Sequence, residues 1–506
     1  MPTAPPKLLD LLDRWQPRRV LVAGDFMLDR YSFGHVDRLS PDAPVPILEV
    51  QSTDDRPGGA ANVCRDLVAL RCEAIALGIV GSDATGQDLS DAMRDAGIDV
   101  SGLVPASGGR PTTIKHNLVG LAQHRHPQKM FRLDVEDRTP LDDLAVDALL
   151  ARAQQLIDSD QIDVVCLEDY AKGVCTPRFC QELISLAHQA NIPALVDPAA
   201  IPDYTKYAGA TAITPNRTEA RLATARRPSN PDADLAEASE MARELQDQHG
   251  IRHVVITLDK SGALLRDPSG TEHHVPTRAR AVYDVTGAGD MVLAALAGAV
   301  ANEANWPDAV ALANLAAGLE VEKPGVVPIP LDDLLLEVLR EQHETLGKAR
   351  TLEQLLPELR AHRSAGKTVA FTNGCFDVLH AGHVQYLRSC ATHADLLVVG
   401  LNSDASIARI KSDKPGPPRP INQEPDRVLV LSELQSIDYV VVFDDDTPLS
   451  LIQAVSPDVL LKGADYQKHD VVGHEVVEAA GGRVELVPLV AGRSTTNILR
   501  QLGESG

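Results

Sequence analysis

Two runs of this chain put polar side chains where phosphate chemistry needs them. In Asp284 to Val300, DVTGAGDMVLAALAGAV, the small residues Gly287, Ala288 and Gly289 precede Asp290, and an apolar helix follows. Small residues let several backbone N–H groups converge at a helix N-terminus, an anion hole for a transferring phosphoryl group. A carboxylate at the mouth of that hole can accept the proton of an attacking hydroxyl. Alone, the pattern also fits an ordinary Asp at a helix start. In Phe371 to Cys390, FTNGCFDVLHAGHVQYLRSC, a strand ends in a Gly-containing turn and a helix opens on His380-Ala381-Gly382-His383. Two imidazoles three residues apart at a helix start can face one ligand, and Gly382 lets a phosphate approach the backbone. Neutral or protonated, they can donate hydrogen bonds to an α-phosphate as charge builds in the transition state. A metal site would want a third ligand at close spacing, and none is obvious.

Further polar groups fall at the ends of strand-like runs, where open α/β sheets bind ligands. Asn216-Arg217-Thr218-Glu219 follows ATAITP. Asn216 and Glu219 there can order Mg²⁺-bound waters beside ATP phosphates, or simply cap a helix. Gly24-Asp25 ends the first strand, and Pro57-Gly58-Gly59-Ala60-Ala61-Asn62 opens a helix. Together these offer a carboxylate, bare backbone and an amide suited to sugar hydroxyls. Lys115, Arg132 and Lys172 fall in expected loops that could meet a phosphate on the sugar, with solvated surface charge as the competing reading. Near the end, Arg493-Ser494-Thr495-Thr496-Asn497 precedes a last helix and makes a second phosphate cradle. Gly400 to Asp404 and Lys462 to Tyr466 sit at strand ends facing the cleft of the histidine pair.

These residues need elements to hold them. RRVLVAGD, IDVVCLEDY, IPALVDP, ATAITPN and HVVITLD alternate with helix-like segments, the pattern of an α/β fold with a mainly parallel sheet. Tyr31 to Val50 lacks helical periodicity and predicts a small β-lid after the first strand. From Leu331 the pattern changes to a charged, Leu-rich helical stretch. A fresh set of five strands begins at KTVAFTNG and continues through DLLVVGLN, DYVVVF, DVLLKG and RVELVPL. The expected organisation is a first α/β domain over 1–330, a helical linker over 331–365 and a second, Rossmann-like domain over 366–506.

Composition sets the outer limits. The 506 residues exceed one hydrophobic core. At 3% aromatics, small aliphatics must fill the interiors. A formal net charge of −23 argues against general affinity for nucleic acid. Seven scattered cysteines with no C-x-x-C pair fit reduced thiols in a cytoplasmic protein. The longest apolar stretch, Met291 to Asn302, is far short of the roughly 20 residues that span a bilayer.

From about residue 10 to 330 the four N-terminal motifs, in this order, resemble the ribokinase-like sugar kinases. That resemblance implies Asp290 as catalytic base, with Gly287, Ala288 and Gly289 as its anion hole. It implies ATP and Mg²⁺ at Asn216, Arg217, Thr218 and Glu219, and the sugar at Asp25, Gly58, Gly59 and Asn62. Residues 366 to about 500 resemble the cytidylyltransferase-like nucleotidyltransferases. This implies attack of a substrate phosphate on the α-phosphorus of a nucleoside triphosphate. Gly374, Phe376, Asp377, His380, Gly382, His383, Ser494, Thr495 and Thr496 would then lie at the nucleotide, and Lys411 and Lys462 at the substrate phosphate. The domain order, RLSPDAPVP in the lid, LNSDASI, KGADY and STTNI are similar to a family of bifunctional heptose-phosphate kinase/adenylyltransferases. One departure is the spacer SDKPGPP between Lys411 and Arg419-Pro420, longer than that family's K-G-x-x-R-P. The resemblance implies ADP-heptose for the lipopolysaccharide core of a Gram-negative-type bacterium, made by a homodimer. It also implies a separate phosphatase to remove the 7-phosphate between the two reactions, because FDDDTP misplaces the Thr of a D-x-D-x-T phosphatase loop. Another sugar or polyol phosphate, and CTP in place of ATP, remain open on the residues alone.

Overall fold

The computed structural model describes residues 8–121, 127–159, 162–226, 234–277, 282–364, 366–412 and 418–488. The chain divides into two compact units, 1–334 and 335–506. In the first, nine strands form one sheet in the order Glu272–Val275, Ala263–Arg266, His253–Thr257, Ala212–Ile213, Ala194–Asp197, Val164–Glu168, Arg19–Gly24, Glu73–Val80 and Asp99–Pro105. From His253–Thr257 onward the strands pair in parallel, and the first two are antiparallel additions. Parallel strands are covered on both faces, which is why Val164–Glu168 is buried at every position. Helices Asp143–Ser159 and Pro177–Gln189 cover one face through Val146, Leu149, Phe179 and Leu183. The second of these starts at Thr176, whose hydroxyl accepts from the Phe179 N–H at 3.1 Å. Helices Ala60–Ala69 and Ala288–Ala301 pack together and against the central strands.

The order of strands reverses between Arg19–Gly24 and Val164–Glu168. A crevice opens beyond the carboxyl ends at such a reversal, so Asp25 and the loop after Glu168 stand where a ligand would bind. The lid is larger than Tyr31 to Val50. It is a four-stranded sheet ordered Pro46–Gly59, Phe26–Leu39, Thr113–Leu121, Gln128–Val135. Gln128–Val135 is exposed at every position, so no burial pattern marks it in sequence.

In the second unit six strands, all parallel, run Ala349–Arg350, Tyr439–Phe443, Leu396–Asn402, Val369–Gly374, Val459–Gly463, Arg483–Val487. The reversal falls between Val369–Gly374 and Val459–Gly463, beside the turn that carries the histidine pair. The stretch read as a linker forms helices Leu331–Leu346 and Leu352–Ser364. Between them Ala349–Arg350 adds a sixth strand, and Leu355 and Leu359 enter the second unit's core. A two-residue strand is too short to declare itself by periodicity.

Gly24 fixes how closely the two central strands approach at the crevice. Its φ is +149°, and a Cβ there would lie 2.0 Å from the Glu168 carbonyl oxygen. Gly24→Ala should destabilise the first unit by roughly 2–4 kcal/mol, from overpacking plus backbone strain. Thermal unfolding followed by each activity checks this: the first unit's activity should be lost at a lower temperature and the second unit's should not move.

Candidate active sites

In the first unit Asp290 lies in the opening turn of helix Ala288–Ala301, buried, with Gly287 as N-cap at φ +93°. Its two oxygens have separate partners. Asn62 Nδ2 donates to Oδ2 at 2.8 Å and the Tyr170 hydroxyl to Oδ1 at 2.8 Å. Burial pushes the Asp290 carboxyl up to about 6, while the bonds from Tyr170 and Asn62 and the nearby Lys115 charge hold it from rising further. A carboxylate poised there is ionised at neutral pH yet basic enough to take a proton. Tyr170 stands at the end of IDVVCLEDY, and nothing local signals that its hydroxyl reaches a residue 120 positions away.

Asp25 is also buried, at the end of the first strand. The N–H groups of Tyr170 and Lys172 donate to Oδ2 at 2.9 Å each, and that of Val174 to Oδ1 at 3.2 Å. Burial and then the Asp169 charge raise it to about 6, against the pull of those three amides. Asp25 therefore clamps the loop that carries Tyr170 to Asp290. Gly58 and Gly59 end the strand Pro46–Gly59 beside it, and Asn62 lies in the first turn of the helix that follows.

The three cations expected in loops are differently placed. Lys115 and Arg132 lie on lid strands Thr113–Leu121 and Gln128–Val135, because the lid recruits that segment. Lys115 Nζ sits 4.9 Å above the Tyr170 ring, at the site. Arg132 is in an exposed pair with Asp134 at 2.8 Å, a solvated surface charge. Lys172 does sit in the loop after Glu168, and its ammonium pairs with Glu136. Arg110, which sequence reasoning missed, donates to the carbonyls of Asp137, Thr139 and Lys172 and ties that loop to the segment leaving the lid.

Asn216 and Glu219 close a reciprocal capping box. Asn216 Oδ1 accepts from the Thr218 and Glu219 N–H groups at 2.9 and 3.0 Å, and Glu219 Oε2 accepts from the Asn216 N–H at 2.8 Å. Arg217 donates to the Leu258 carbonyl at 3.0 Å. Both readings of this quartet are compatible, since a capped helix start leaves the outer carboxylate oxygen available. Glu219 lies near enough to Asp197 to raise it. Glu168, Asp197 and Asp290 each offer a carboxylate oxygen within 4.8 Å of the others. Glu168 Oε2 is buried and lacks a hydrogen-bond partner. An orphaned oxygen among convergent carboxylates fits a hard, oxygen-seeking cation such as Mg²⁺. Glu168 and Asp197 were visible in sequence only as polar strand ends.

In the second unit His380 is the N-cap of helix Ala381–Cys390, and His383 lies in its first turn. Their rings stack with centroids 3.9 Å apart, and Phe376 meets His383 edge-on at 5.4 Å. Burial, then the His380 charge, lowers His383 to about 4, so its imidazole is neutral at physiological pH. Its buried Nδ1 has no hydrogen-bond partner. Gly374 ends the strand before this turn, and Gly382 is buried in the helix start. Lys462, on the neighbouring strand, donates to Asn373 Oδ1 at 2.7 Å, and burial lowers it to about 8. It thus remains mostly charged at pH 7. Lys411 closes helix Asp404–Ile410 and lies close enough to Cys375 to act on its thiol electrostatically.

Asp377, expected at the nucleotide, is buried. Its carboxylate accepts from Arg419 and from the Ile421 and Asn422 N–H groups at 2.7 and 2.9 Å. Arg427, buried and missed in sequence, donates to the carbonyls of Cys375 and Asn402 at 2.8 Å and to Asp404 at 2.7 Å. Both side chains hold the turn Gly374–Asp377 in place. Ser494, Thr495 and Thr496 lie outside the described residues.

These two units define a carbohydrate kinase followed by a nucleotidyltransferase. Residues 18–333 match the pfkB family of carbohydrate kinases and 371–493 the cytidylyltransferase-like family. Escherichia coli phosphofructokinase-2, in complex with potassium, shares the first unit's fold at TM-score 0.51 and 20% identity, covering 63% of this chain and 96% of that one. Over full length the chain is 41% identical to the bifunctional protein HldE of Trichlorobacter lovleyi, covering 98% of this chain and 97% of the relative. It is 43% identical to that of Geobacter sulfurreducens, with 95% of each chain covered. The chain belongs to the HldE family of bifunctional proteins. It is accordingly a heptose-7-phosphate kinase and heptose-1-phosphate adenylyltransferase of ADP-heptose synthesis.

The bonds to Asp290 make the acid side of the kinase pH profile informative. Activity should fall as pH drops through about 6, where Asp290 takes up its proton. Tyr170→Phe removes a hydrogen bond that favours the carboxylate, so that limb should move upward by about one pH unit. Measuring kcat/KM for phosphorylation between about pH 5 and 8 checks both position and direction.

Proposed function

We propose that Asp290 is the general base of the kinase and that the amides at Gly287, Ala288 and Gly289 receive the transferred phosphoryl group. The observation that carries this is Asp290 itself: buried, at a helix N-terminus, held by Asn62 and Tyr170, with its carboxyl raised to about 6. The C1 hydroxyl of heptose 7-phosphate gives its proton to Asp290 as its oxygen attacks the γ-phosphorus of ATP. The bond from γ-phosphorus to the bridging oxygen breaks, ADP leaves, and a 1,7-bisphosphate results. Mg²⁺, held at Asp197 and through water at Asn216 and Glu219, would neutralise the phosphate charge. Gly58, Gly59 and Asn62 face the sugar, and Lys115 supplies positive charge beside the base.

In the second unit neutral His383 and its neighbour His380 donate to the α-phosphate of ATP. The phosphate of heptose 1-phosphate attacks the α-phosphorus and pyrophosphate leaves, with Lys462 beside the attacking group. The 7-phosphate must come off between the two steps, which calls for a separate sugar-bisphosphate phosphatase. ADP-heptose then serves the lipopolysaccharide core. A cytoplasmic site suits the seven unbonded cysteines, six of them buried, and among the described residues no helix is long and apolar enough to cross a membrane. The homodimer is assigned to the lid. Its edge strand exposes Met130, Phe131, Leu133 and Val135, an apolar row that a second copy would cover.

Mass spectrometry of products tests the assignment. The purified chain with heptose 7-phosphate, ATP and Mg²⁺ should accumulate the bisphosphate, and added phosphatase should release ADP-heptose and pyrophosphate. Asp290→Asn should cut the first reaction by roughly 10²–10⁴-fold and spare ADP-heptose formation from heptose 1-phosphate. His383→Ala should do the converse, by roughly 10²–10³-fold in rate. Phosphorylation by Asp290→Asn within about tenfold of the parent would sink the base assignment.

The lid assignment has its own test in light scattering after size exclusion. Phe131→Glu should convert a dimer to a monomer with both units folded, and an unchanged mass would place the interface elsewhere.

A further inference from the structure

Behind the anion hole lie two carboxyl groups that phosphoryl transfer does not use. Glu320 ends helix Trp306–Glu320 and is 1% exposed, and neither of its oxygens has a hydrogen-bond partner. Asp66, on helix Ala60–Ala69, is 0% exposed; its Oδ1 has no partner and its Oδ2 accepts only a long bond from Asn62 at 3.4 Å. The same Asn62 amide donates to Asp290. Glu320 also touches the hole directly. A Cβ built on Gly287 would stand 2.8 Å from Glu320 Oε1, so only glycine leaves room for the carboxyl group there.

Two buried carboxyl groups facing one another cannot both be ionised without large cost. The cations that face them are few. From the helix of Asp66 comes Arg65, from the turn after Glu320 comes Lys323, and Lys323 pairs with Asp333 at 3.0 Å. Against these stand Asp66 itself, Asp290 from helix Ala288–Ala301 and Asp284 from the loop before it. Burial, then the Asp290 charge, lifts Glu320 to about 8, and burial with Glu320 lifts Asp66 well above its ordinary range.

We propose that Glu320 is a positioning residue of the phosphoryl-transfer site, standing behind the anion hole as an un-ionised acid whose loss of a proton shuts the kinase. Un-ionised, it lets Gly287 and its neighbours present their N–H groups to phosphate oxygens. Ionised, it sets a negative charge against the same backbone, opposing the phosphate and competing for those dipoles. The inference rests on the reading of Gly287 to Gly289 as the anion hole.

Phosphorylation and adenylyl transfer by the full chain, each followed from about pH 6.5 to 9.5, test it. Kinase kcat/KM for ATP should fall about tenfold between neutral pH and about pH 9, as for one ionisation, while adenylyl transfer has its own alkaline limb, set by Lys462 at about 8, which Glu320→Gln should leave unchanged. Glu320→Gln keeps the un-ionised shape at every pH, so the ratio of kinase activity at high to neutral pH should rise to near one. Arg65→Gln removes a cation that favours ionised Glu320, so the alkaline limb should move to higher pH. A parental limb in Glu320→Gln or an unmoved limb in Arg65→Gln overturns the proposal. Should Glu320→Gln not fold, the Arg65→Gln limb decides alone. Full activity of Asp290→Asn would instead discredit the site reading, a result that leaves the shape of the alkaline limb untouched.

Discussion

Negative charge taken out of water is the constraint on which the kinase unit depends. Asp25, Asp66, Glu168, Asp290 and Glu320 are all buried around the carboxyl ends of the central strands, with half-buried Asp197 among them. Each would be costly without a partner, and the architecture is legible as the set of partners provided. Three amides of one loop serve Asp25; an amide and a phenol serve Asp290. Glu168 and Glu320 keep unpartnered oxygens. The loop from Asp169 to Val174 is therefore more than a connection. Asp25 fixes its backbone, Arg110 and Glu136 fix its outer side, and Tyr170 delivers the result to the base.

In the second unit the charges drawn inward beside the histidine turn include cations. Arg427 and Lys462 are drawn inward beside the turn that precedes the histidines. Arg427 spends its guanidinium on the carbonyls of Cys375 and Asn402 and on Asp404, joining the ends of two neighbouring strands. Asp377 and Arg419 bind the same turn from the other side. These links explain how a short Gly-containing turn, with Phe376 at φ +42°, keeps one geometry at the mouth of a sheet. Buried, hydrogen-bonded arginine suits this task because its fork reaches several carbonyls at once.

How much of this could be read from the chain follows from the range of the interactions. Central strands such as Val164–Glu168 and Leu396–Asn402 are continuous apolar runs and declare themselves. Gln128–Val135 has no buried face, and Ala349–Arg350 has only two residues, so neither shows a period. Asp290 and the histidine pair were legible because each motif is local, with the glycines, the acid or the imidazoles within a few positions. Tyr170, Glu168, Arg427 and Glu320 were not, since their meaning arises from contacts with residues far off in sequence. Charge alone does not reveal surroundings for the same reason: Arg132 pairs with Asp134 and Lys172 with Glu136.

The two units also differ in what protons they need, and this bears on why one chain can hold both reactions. As the proposed base, Asp290 has to be ionised to accept a proton, which excludes acid conditions. Its neighbour Glu320 shares the same desolvated region and is pushed in the same direction, to about 8 against about 6. The burial that makes Asp290 basic enough to work thus also keeps Glu320 protonated, so one cause sets both edges of the kinase's working range. His383 is shifted the other way, to about 4, because burial disfavours a cation as it disfavours an anion. Over the interval in which the kinase pair holds its working state, the imidazole stays neutral and able to donate. Desolvation, acting with opposite sign on acid and base, therefore suits the two proposed sites to a common pH range.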